Sequence, residues 1–217
     1  MLDAVPRTGG ALRAVIFDCD GVLFDSWRAN VAFYNAVLSE LGQPPLDAAG
    51  ERLAHMLSSP QLFEALFSET PAVLERARAI ARDTDYSPFL QWMEPAPGLY
   101  ELLAALKPQY RLAMATNRGL TLTGVMQHFG LAPLLELAVG IYDVPRPKPF
   151  PDMIEKCVRH FGIAPHEAVY VGDSPSDLEA AQAAGTHFIA VGDLPGALLR
   201  VRHVGELRSV LNEWTPG

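Results

Sequence analysis

Polar side chains follow apolar runs at four places in this chain. Asp18 and Asp20 lie in the first place, Thr116 in the second, Lys148 in the third and Asp173 in the fourth. Three facing carboxylates would repel one another and raise their pKa values unless a cation lay between them. Mg²⁺ meets this need, because it binds carboxylate oxygens and leaves positions for a phosphate group. The full runs are Asp18-Cys19-Asp20-Gly21, Thr116-Asn117-Arg118-Gly119, Pro145-Arg146-Pro147-Lys148-Pro149 and Gly172-Asp173-Ser174-Pro175-Ser176-Asp177.

Each of these runs has an ordinary structural interpretation when it is taken alone. The first is compatible with a simple turn, and Thr116 with a helix N-cap. Lys148 alone would most often be a solvated surface lysine, and Gly172–Asp177 a loop that caps the next helix. What favours a functional site is the joint arrival of carboxylates, a hydroxyl and a lysine after successive apolar runs.

The apolar runs themselves predict an α/β fold. Segments with helical spacing lie between several of them, and this alternation indicates right-handed βαβ units and a parallel sheet covered on both faces. Ligands of such sheets bind beyond the carboxyl ends of the strands, so the four polar runs are expected at one edge. The predicted strands are Leu12–Phe17, Arg111–Ala115, Leu137–Gly140, Ala168–Val171 and Thr186–Val191.

A helical insertion interrupts this alternation. No strand pattern occurs between Ser26 and about Glu94, where apolar residues recur at helical spacing. The run Pro95-Ala96-Pro97-Gly98 then marks the return to the sheet. The sequence therefore predicts a sheet domain of residues 1–26 and 95–217 and a helical cap domain of residues 27–94.

Bulk composition argues against several classes of protein. The formal net charge of −8 over 217 residues disfavours nucleic-acid binding, which needs many cationic contacts. Cys19 and Cys157 are too few for a disulfide framework and are expected to be free thiols. No apolar run approaches the roughly 20 residues that span a bilayer, and residues 1–11 lack the layout of a signal peptide. A cytoplasmic protein without membrane partners is expected.

The motifs resemble those of the haloacid dehalogenase superfamily, in the branch with a helical cap inserted after the first strand. The resemblance covers about residues 12–192 and is closest to the phosphoglycolate phosphatase and β-phosphoglucomutase-like subgroup. It implies a Rossmann-like core sheet that carries the cap. The runs that carry it are Asp18–Ser26, Ala115-Thr116-Asn117, Lys148-Pro149-Phe150-Pro151-Asp152 and Gly172–Asp177.

The resemblance implies roles for the four aspartates. Asp18 matches the nucleophile that becomes an aspartyl-phosphate, and it also matches a metal ligand. Asp20 matches the general acid and base, with its backbone carbonyl as a further metal ligand. Asp173 matches the acidic ligand of Mg²⁺, and Asp177 matches the acid that orients water at the metal.

The resemblance also implies roles for the phosphoryl-binding residues. Thr116 matches the hydroxyl that holds a phosphoryl oxygen, with the backbone N–H of Asn117 beside it. Lys148 matches the lysine that neutralises the charge of Asp18 and of the phosphoryl group. Arg118 is an additional cation that could meet a second anionic group of the substrate, and a surface position is its alternative interpretation.

Three functions remain open at this point. The leading hypothesis is a hydrolase of phosphate monoesters that acts on a small phosphorylated metabolite. A β-phosphoglucomutase-like phosphomutase is the alternative, and the absence of lysine from residues 27–94 weakens it, because those mutases use a cap lysine. A binding protein that has lost activity is the third, although every residue that the chemistry requires is present. Asp20 argues against dehalogenation, since dehalogenases lack this second aspartate. The sequence predicts neither the exact substrate nor the oligomeric state.

Overall fold

A computed structural model describes residues 11–214, apart from the side chains of residues 55 and 56. Residues 1–10 and 215–217, which the sequence assigned to the sheet domain, lie outside the described range. The chain divides into two compact units. Of the described residues, a sheet unit contains those up to Asp25, Pro95–Asn117 and those from Phe129 to residue 214, and a helical unit contains Ser26–Glu94 and Arg118–His128. Within residues 11–214, no helix combines the length and the apolar character that crossing a membrane requires.

The sheet unit is built on a parallel sheet, which confirms the predicted fold class. Among the described residues the sheet has six strands in the order β5-β4-β1-β6-β7-β8, with every neighbouring pair parallel. The order in which successive strands are added reverses at β1, with β4 on one side of it and β6 on the other, and ligands of such folds bind in the crevice at this point. The strands are β1 (Ala14–Phe17), β2 (Phe24–Asp25), β3 (Glu94–Pro95), β4 (Arg111–Ala115), β5 (Leu137–Val139), β6 (Ala168–Gly172), β7 (His187–Val191) and β8 (Arg200–Val201).

The register of the central strands brings their carboxyl ends together. Phe17 at the end of β1 lies opposite Met114 of β4 and Val171 of β6. Pairing continues one residue further, because the Asp18 N–H donates to the carbonyl of Val171 at 2.8 Å. The first residues after β1, β4 and β6 therefore meet at one edge of the sheet, as the sequence predicted.

Helices cover the sheet and form the second unit. α7 and α8 pack on one face of the sheet, where Met153, Ile154 and Cys157 of α7 join a buried cluster with inward residues of β1, β4 and β6. α7 is thus one of the segments of helical spacing that lie between the predicted strands. The helices are α1 (Trp27–Glu40), α2 (Ala48–Met56), α3 (Ser59–Phe67), α4 (Pro71–Asp83), α5 (Leu99–Leu106), α6 (Leu122–His128), α7 (Asp152–Phe161), α8 (Pro175–Ala184) and α9 (Leu207–Asn212).

The helical unit contains α1–α4 and, in addition, α6. Aromatic side chains hold it together: the ring of Phe33 lies edge-on to those of Tyr34 and Tyr86, with centroids 5.4 and 5.3 Å apart. All residues after 94 were predicted to belong to the sheet domain, whereas the structure groups Arg118–His128 with the helices. The reason is packing, because α6 lies against the 3-10 helix Ser87–Trp92 of the same unit.

Candidate active site

The polar run after β1 forms a tight turn. The N–H groups of Leu23 and Phe24 both donate to the carbonyl of Cys19 at 3.0 Å, and the Gly21 N–H donates to Phe24 O at 2.8 Å. Gly21 has a φ of +74°, and a Cβ atom there would lie 1.8 Å from Oδ2 of Asp173. Only glycine fits this position. The run is therefore a turn and, at the same time, the place where carboxylates of two strand ends approach each other.

Lys148 is buried at this edge. Its side chain is 2% exposed, and its Nζ lies 2.6 Å from Oδ1 of Asp177 and 2.9 Å from Oδ1 of Asp18. Its third neighbour is the hydroxyl of Tyr170, to which Nζ donates at 2.9 Å. Burial by itself lowers the pKa of Lys148, but the two carboxylates outweigh it and raise that pKa. The interpretation of Lys148 as a solvated surface lysine is wrong.

The side chain of Asn117 fixes the backbone of Lys148. The Lys148 N–H donates to Oδ1 of Asn117 at 3.0 Å, and Nδ2 of Asn117 donates back to the carbonyl of Lys148 at 3.2 Å. Two opposed hydrogen bonds leave little freedom to the segment that carries the lysine. The sequence predicted a functional role only for the backbone N–H of Asn117 and allowed its side chain a helix N-cap, so this function of the side chain was missed.

Asp177 is held by hydrogen bonds from several sides. Its Oδ2 accepts from the Ser174 hydroxyl at 2.7 Å, from the Ser174 N–H at 3.0 Å and from the Asp173 N–H at 3.1 Å. Gly172 makes room for it, since a Cβ there would lie 2.4 Å from the Cβ of Asp177. Burial alone would raise the pKa of Asp177, but Lys148 and Ser174 hold it below its usual value. Asp177 is therefore charged and rigidly placed at the start of α8.

The other two carboxylates carry charge that is poorly compensated. Burial raises the pKa of Asp18 to about 7; Lys148 opposes the shift, while Asp177 and Asp20 add to it. Burial also raises the pKa of Asp173 to about 8, with repulsion from Asp18 and Asp177 as the next causes. Such elevated values in a cluster of acids indicate a site that needs a cation.

The geometry of the cluster suits a divalent cation. Carboxylate oxygens of Asp18, Asp173 and Asp177 lie within 4.8 Å of one another. Oδ1 of Asp18 is buried and, although ion-paired with Lys148, has no hydrogen-bond partner of suitable geometry among the described residues. Carboxylate oxygens are the ligands that hard divalent cations such as Mg²⁺ and Ca²⁺ prefer. The donor set therefore fits a hard divalent metal, which is the less specific part of the sequence prediction of Mg²⁺.

The remaining predicted residues have different surroundings. Thr116 is buried directly after β4, and its N–H donates to Val139 O at 2.9 Å. Asp20 lies partly exposed on the turn after β1. Arg118 belongs to the helical unit and is buried, with its guanidinium 5.3 Å from the ring centroid of Tyr86. The surface interpretation of Arg118 is therefore wrong, and its role toward a substrate stays a prediction.

Two residues that touch the site were missed by sequence reasoning. Ser174 is the N-cap of α8 and donates to Asp177, in a reciprocal capping box whose Ser-x-x-Asp spacing was visible in the sequence. Tyr170 was counted only as an apolar strand residue, yet its hydroxyl contacts Lys148. The available signal was a tyrosine inside an otherwise aliphatic strand, because a buried phenol needs a hydrogen-bond partner.

The elevated pKa values predict that the metal-free protein loses stability as the pH rises. An acid whose folded-state pKa is raised stabilises the fold while it is protonated, and that contribution disappears as the pH passes through the raised value. We expect the melting temperature without metal to fall progressively between about pH 4 and about pH 8 and to level off above that, since the ordinary pKa of an aspartate is 3.8 and those of Asp18 and Asp173 are about 7 and about 8. Added Mg²⁺ should reverse the fall, by about 2.7 kcal/mol at a concentration 100-fold above its Kd.

A substitution isolates this effect. Asp173→Asn removes one of the repelling charges, so the metal-free variant should be about 1–2 kcal/mol more stable than the parent near pH 8.5. Asp193→Asn is the matched control, because Asp193 is an exposed residue that pairs with Arg200 at 2.7 Å. Thermal unfolding with a chelator and with Mg²⁺ measures both. If the melting temperature of Asp173→Asn depended on pH as that of the parent does, the loss of stability at high pH would not come from this cluster of acids.

Comparison with known proteins places the chain in a family. The model of the haloacid dehalogenase-like hydrolases matches residues 15–191, so the chain belongs to the haloacid dehalogenase-like hydrolase family. It is 30% identical over 214 residues to a phosphoglycolate phosphatase from Chromobacterium violaceum, covering 92% of this chain and 96% of the relative. It is also 30% identical over 217 residues to an N-acetylmuramic acid 6-phosphate phosphatase from Pseudomonas aeruginosa, covering 93% and 95%.

Solved structures agree with the family. A haloacid dehalogenase superfamily hydrolase of subfamily IA from Geobacter sulfurreducens is 35% identical, with a TM-score of 0.76, and the match covers 95% of this chain and 100% of that one. The predicted resemblance is thereby confirmed. So is the predicted enzyme class, since the family is one of hydrolases and the curated relatives are named phosphatases.

Proposed function

We propose that the protein is a Mg²⁺-dependent phosphate monoester hydrolase in which Asp18 is the nucleophile. The observation that carries the proposal is the position of Asp18 at the end of the central strand, with Lys148 Nζ 2.9 Å from its Oδ1 and Asp173 close by. A carboxylate beside a buried ammonium and a cation site is suited to meet the phosphorus of a dianionic ester, because the cations offset the repulsion between the two anions.

The first step transfers the phosphoryl group to Asp18. A carboxylate oxygen of Asp18 attacks phosphorus, an O–P bond forms, and the bond between phosphorus and the alcohol oxygen breaks. The electron pair of the broken bond stays on the alcohol oxygen, which takes the proton of Asp20 and leaves as the neutral alcohol. The product is an aspartyl-phosphate at Asp18 and an ionised Asp20.

The second step hydrolyses the aspartyl-phosphate. Asp20 takes a proton from a water molecule, the water oxygen attacks phosphorus, and the bond from phosphorus to Asp18 breaks. Inorganic phosphate leaves, Asp18 is again a carboxylate, and Asp20 again holds its proton. One residue thus acts as acid and then as base, which its partly exposed position on the turn after β1 supports.

Lys148, Thr116 and Asn117 stabilise the charge that moves in both steps. Lys148 neutralises Asp18 and the phosphoryl oxygens, and its ammonium is already held by three neighbours before substrate arrives. The Thr116 hydroxyl and the Asn117 N–H, directly after β4, are assigned to a phosphoryl oxygen. Prearranged charges of this kind need no reorganisation in the transition state, and they commonly supply the largest part of the rate enhancement.

Asp18, Asp173 and the backbone carbonyl of Asp20 are the groups that we assign to the metal. When bound there, Mg²⁺ would neutralise the carboxylates and the charge of the phosphoryl oxygens. Asp177 is assigned an indirect role, because both of its oxygens already accept hydrogen bonds from Lys148 or Ser174. This supports the role predicted for it, which is to orient water at the metal.

A phosphate monoester that also carries a carboxylate is the proposed substrate. Two relatives that cover more than nine-tenths of the chain are named for phosphoglycolate and for N-acetylmuramic acid 6-phosphate. Both compounds combine a phosphate monoester with a carboxylate. At 30% identity this shared chemistry is a better guide than either individual compound.

A panel of phosphorylated metabolites tests the proposal. Phosphoglycolate and N-acetylmuramic acid 6-phosphate are compared with a hexose phosphate, a nucleoside monophosphate and pyrophosphate, by release of inorganic phosphate with Mg²⁺ and with a chelator. We expect the highest kcat/KM for a carboxylate-bearing monoester and no turnover in chelator. Isomerised sugar phosphate formed faster than free phosphate would instead establish a mutase. Equal rates on all members of the panel would contradict the proposed substrate class.

The role of Asp20 predicts a dependence on the leaving group. p-Nitrophenolate leaves without a proton, whereas an alkyl oxygen needs one, so Asp20→Asn should slow the first step much more with an alkyl phosphate. We expect a loss of about 10²–10⁴-fold with phosphoglycolate, and with p-nitrophenyl phosphate a burst of nitrophenolate followed by slow turnover. Absorbance at about 400 nm after rapid mixing records the burst. Equal losses on both substrates, without a burst, would rule out Asp20 as the proton donor.

A further inference from the structure

A tyrosine hydroxyl lies inside the apolar layer between the sheet and its helices. Tyr170 is the middle residue of β6, is fully buried, and packs among small side chains such as Ala115 and Ala181. A hydroxyl in such a place costs free energy unless it is hydrogen-bonded, and phenylalanine would fill the same volume without that requirement. The presence of the hydroxyl therefore calls for an explanation from its partners.

The hydroxyl has partners on both sides. It donates to the carbonyl of Ala115 at 2.7 Å and accepts from Nζ of Lys148 at 2.9 Å. Oδ1 of Asp177 lies 3.2 Å away, but a hydroxyl has one proton, and the shorter contact to Ala115 takes it. Burial raises the pKa of Tyr170, so the group keeps this proton. Its lone pairs are left to face the ammonium.

The contact between Tyr170 and Lys148 is a hydrogen bond and not a cation–π interaction. Nζ of Lys148 lies 2.9 Å from the hydroxyl oxygen and 5.5 Å from the ring centroid, so the ammonium lies beyond the oxygen, nearly in line with the C–O bond. The face of the ring is not involved. The tyrosine thus presents a single fixed acceptor to the lysine.

Three oxygen neighbours surround the ammonium of Lys148, which donates to Asp177 and Tyr170 and is ion-paired with Asp18. Two are carboxylates, with Asp177 at 2.6 Å and Asp18 at 2.9 Å, and the third is the Tyr170 hydroxyl. A lysine stem rotates about four bonds, whereas a packed tyrosine ring does not move. Of these three neighbours, only the hydroxyl is neutral. It therefore directs the ammonium without competing for its charge.

We propose that Tyr170 is a positioning residue that holds the ammonium of Lys148 against Asp18. Without the hydroxyl, the ammonium would be free to turn toward Asp177, the nearer carboxylate, and away from the nucleophile. The bond to the Ala115 carbonyl also ties this arrangement to the residue that precedes Thr116. The inference rests on the proposed function of Lys148 and adds a residue to it.

Tyr170→Phe tests the proposal because it removes only the hydroxyl. We expect kcat to fall about 10–100-fold, since small displacements of a charged group are costly, while KM changes by less than about threefold. A structural role alone would lower the amount of folded enzyme and leave the kcat of the folded fraction intact. Active-site titration with an aspartyl-phosphate mimic such as beryllium fluoride gives that fraction.

A double-mutant cycle with Lys148→Met shows whether the tyrosine acts through the lysine. In the Lys148→Met background no ammonium remains to be positioned. Adding Tyr170→Phe there should lower kcat by a further factor of less than about three. If the loss of kcat in the double variant equalled the product of the losses in the two single variants, the proposal would be overturned. A kcat of Tyr170→Phe within about twofold of the parent in folded protein would also overturn it.

Matched controls separate the possible failures. Tyr100→Phe removes a hydroxyl that donates to Phe129 O at 3.2 Å on the exposed side of α5, and should leave kcat unchanged. Tyr170→Met is the second variant if Tyr170→Phe does not fold; failure of both to fold would make Tyr170 structural and overturn the proposal. A fully active Lys148→Met would refute the proposed function itself. An inactive Lys148→Met with a fully active Tyr170→Phe would refute this inference alone.

Discussion

Asp18→Asn is expected to lower phosphatase turnover by at least about 10⁴-fold, because the amide cannot form the aspartyl-phosphate. The same substitution should leave the fold intact. Burial raises the pKa of Asp18 to about 7, so its charged form is held at a cost that asparagine does not carry. We therefore expect a melting temperature equal to or above that of the parent when the metal is removed. Loss of activity without loss of stability is characteristic of a nucleophile.

Steady-state turnover and thermal unfolding of Asp18→Asn measure the two effects. Asp193→Asn is the control, since it makes the same chemical change at an exposed ion pair with Arg200. Mass spectrometry of acid-quenched parent enzyme should show one added phosphoryl group on the peptide that contains Asp18, and none in the variant. Turnover of Asp18→Asn within about tenfold of the parent would eliminate the proposed nucleophile.

Lys148→Met is expected to lose both activity and stability. Methionine keeps most of the stem but removes the ammonium, which leaves Asp18 and Asp177 buried without their common partner. Breaking a buried ion pair from one side costs about 3–5 kcal/mol, and we expect a loss of that order in the free energy of unfolding. Turnover should fall about 10³-fold, because the phosphoryl charge loses its nearest cation.

The surface lysine Lys156 provides the control for this change. Its Nζ donates to the carbonyl of Asp143 at 2.9 Å on the exposed side of α7, so Lys156→Met should alter neither property measurably. Urea unfolding at neutral pH and phosphate release record the outcome. Mg²⁺ should restore part of the lost stability, since it also neutralises Asp18. A Lys148→Met protein as stable as the parent would show that the buried charges are compensated in another way.

The two substitutions separate roles that activity alone does not distinguish. Asp18→Asn removes a repelling charge and should be neutral or stabilising, whereas Lys148→Met removes the charge that compensates the others. The geometry of the ion pairs predicts that both substitutions lower activity, whereas their effects on the free energy of unfolding have opposite signs. If both variants lost stability equally, Asp18 would act mainly as the ion-pair partner of Lys148.

The core of the fold was predictable because its pattern is local. The runs Arg111–Ala115 and Ala168–Val171 are separated by segments with helical spacing, and short apolar strands in such an alternation indicate a parallel sheet. The short strand β8 was missed, since two residues are too few to show an alternation. The placement of α6 with the helical unit also lay beyond the sequence, because an apolar stripe shows that a helix packs but not which element it packs against.

The sequence by itself determined which residue types meet at the edge of the sheet. Asp18, Thr116 and Asp173 directly follow parallel strands, and the polarity of such strands brings those positions together in any right-handed arrangement. The glycine after Asp20 was equally readable as a turn. The class of chemistry follows from these local facts.

Only the tertiary structure decided how these groups are held. That Lys148 is buried between Asp18 and Asp177 depends on side chains from three separate segments of the chain. The clamp by Asn117 and the acceptor offered by Tyr170 depend on distances across 31 and 22 residues of chain. Pattern along a chain predicts which face a residue lies on, but hydrogen bonds and pKa values depend on neighbours that are distant in sequence. For that reason the residues that do the chemistry were visible first, and those that position them only afterwards.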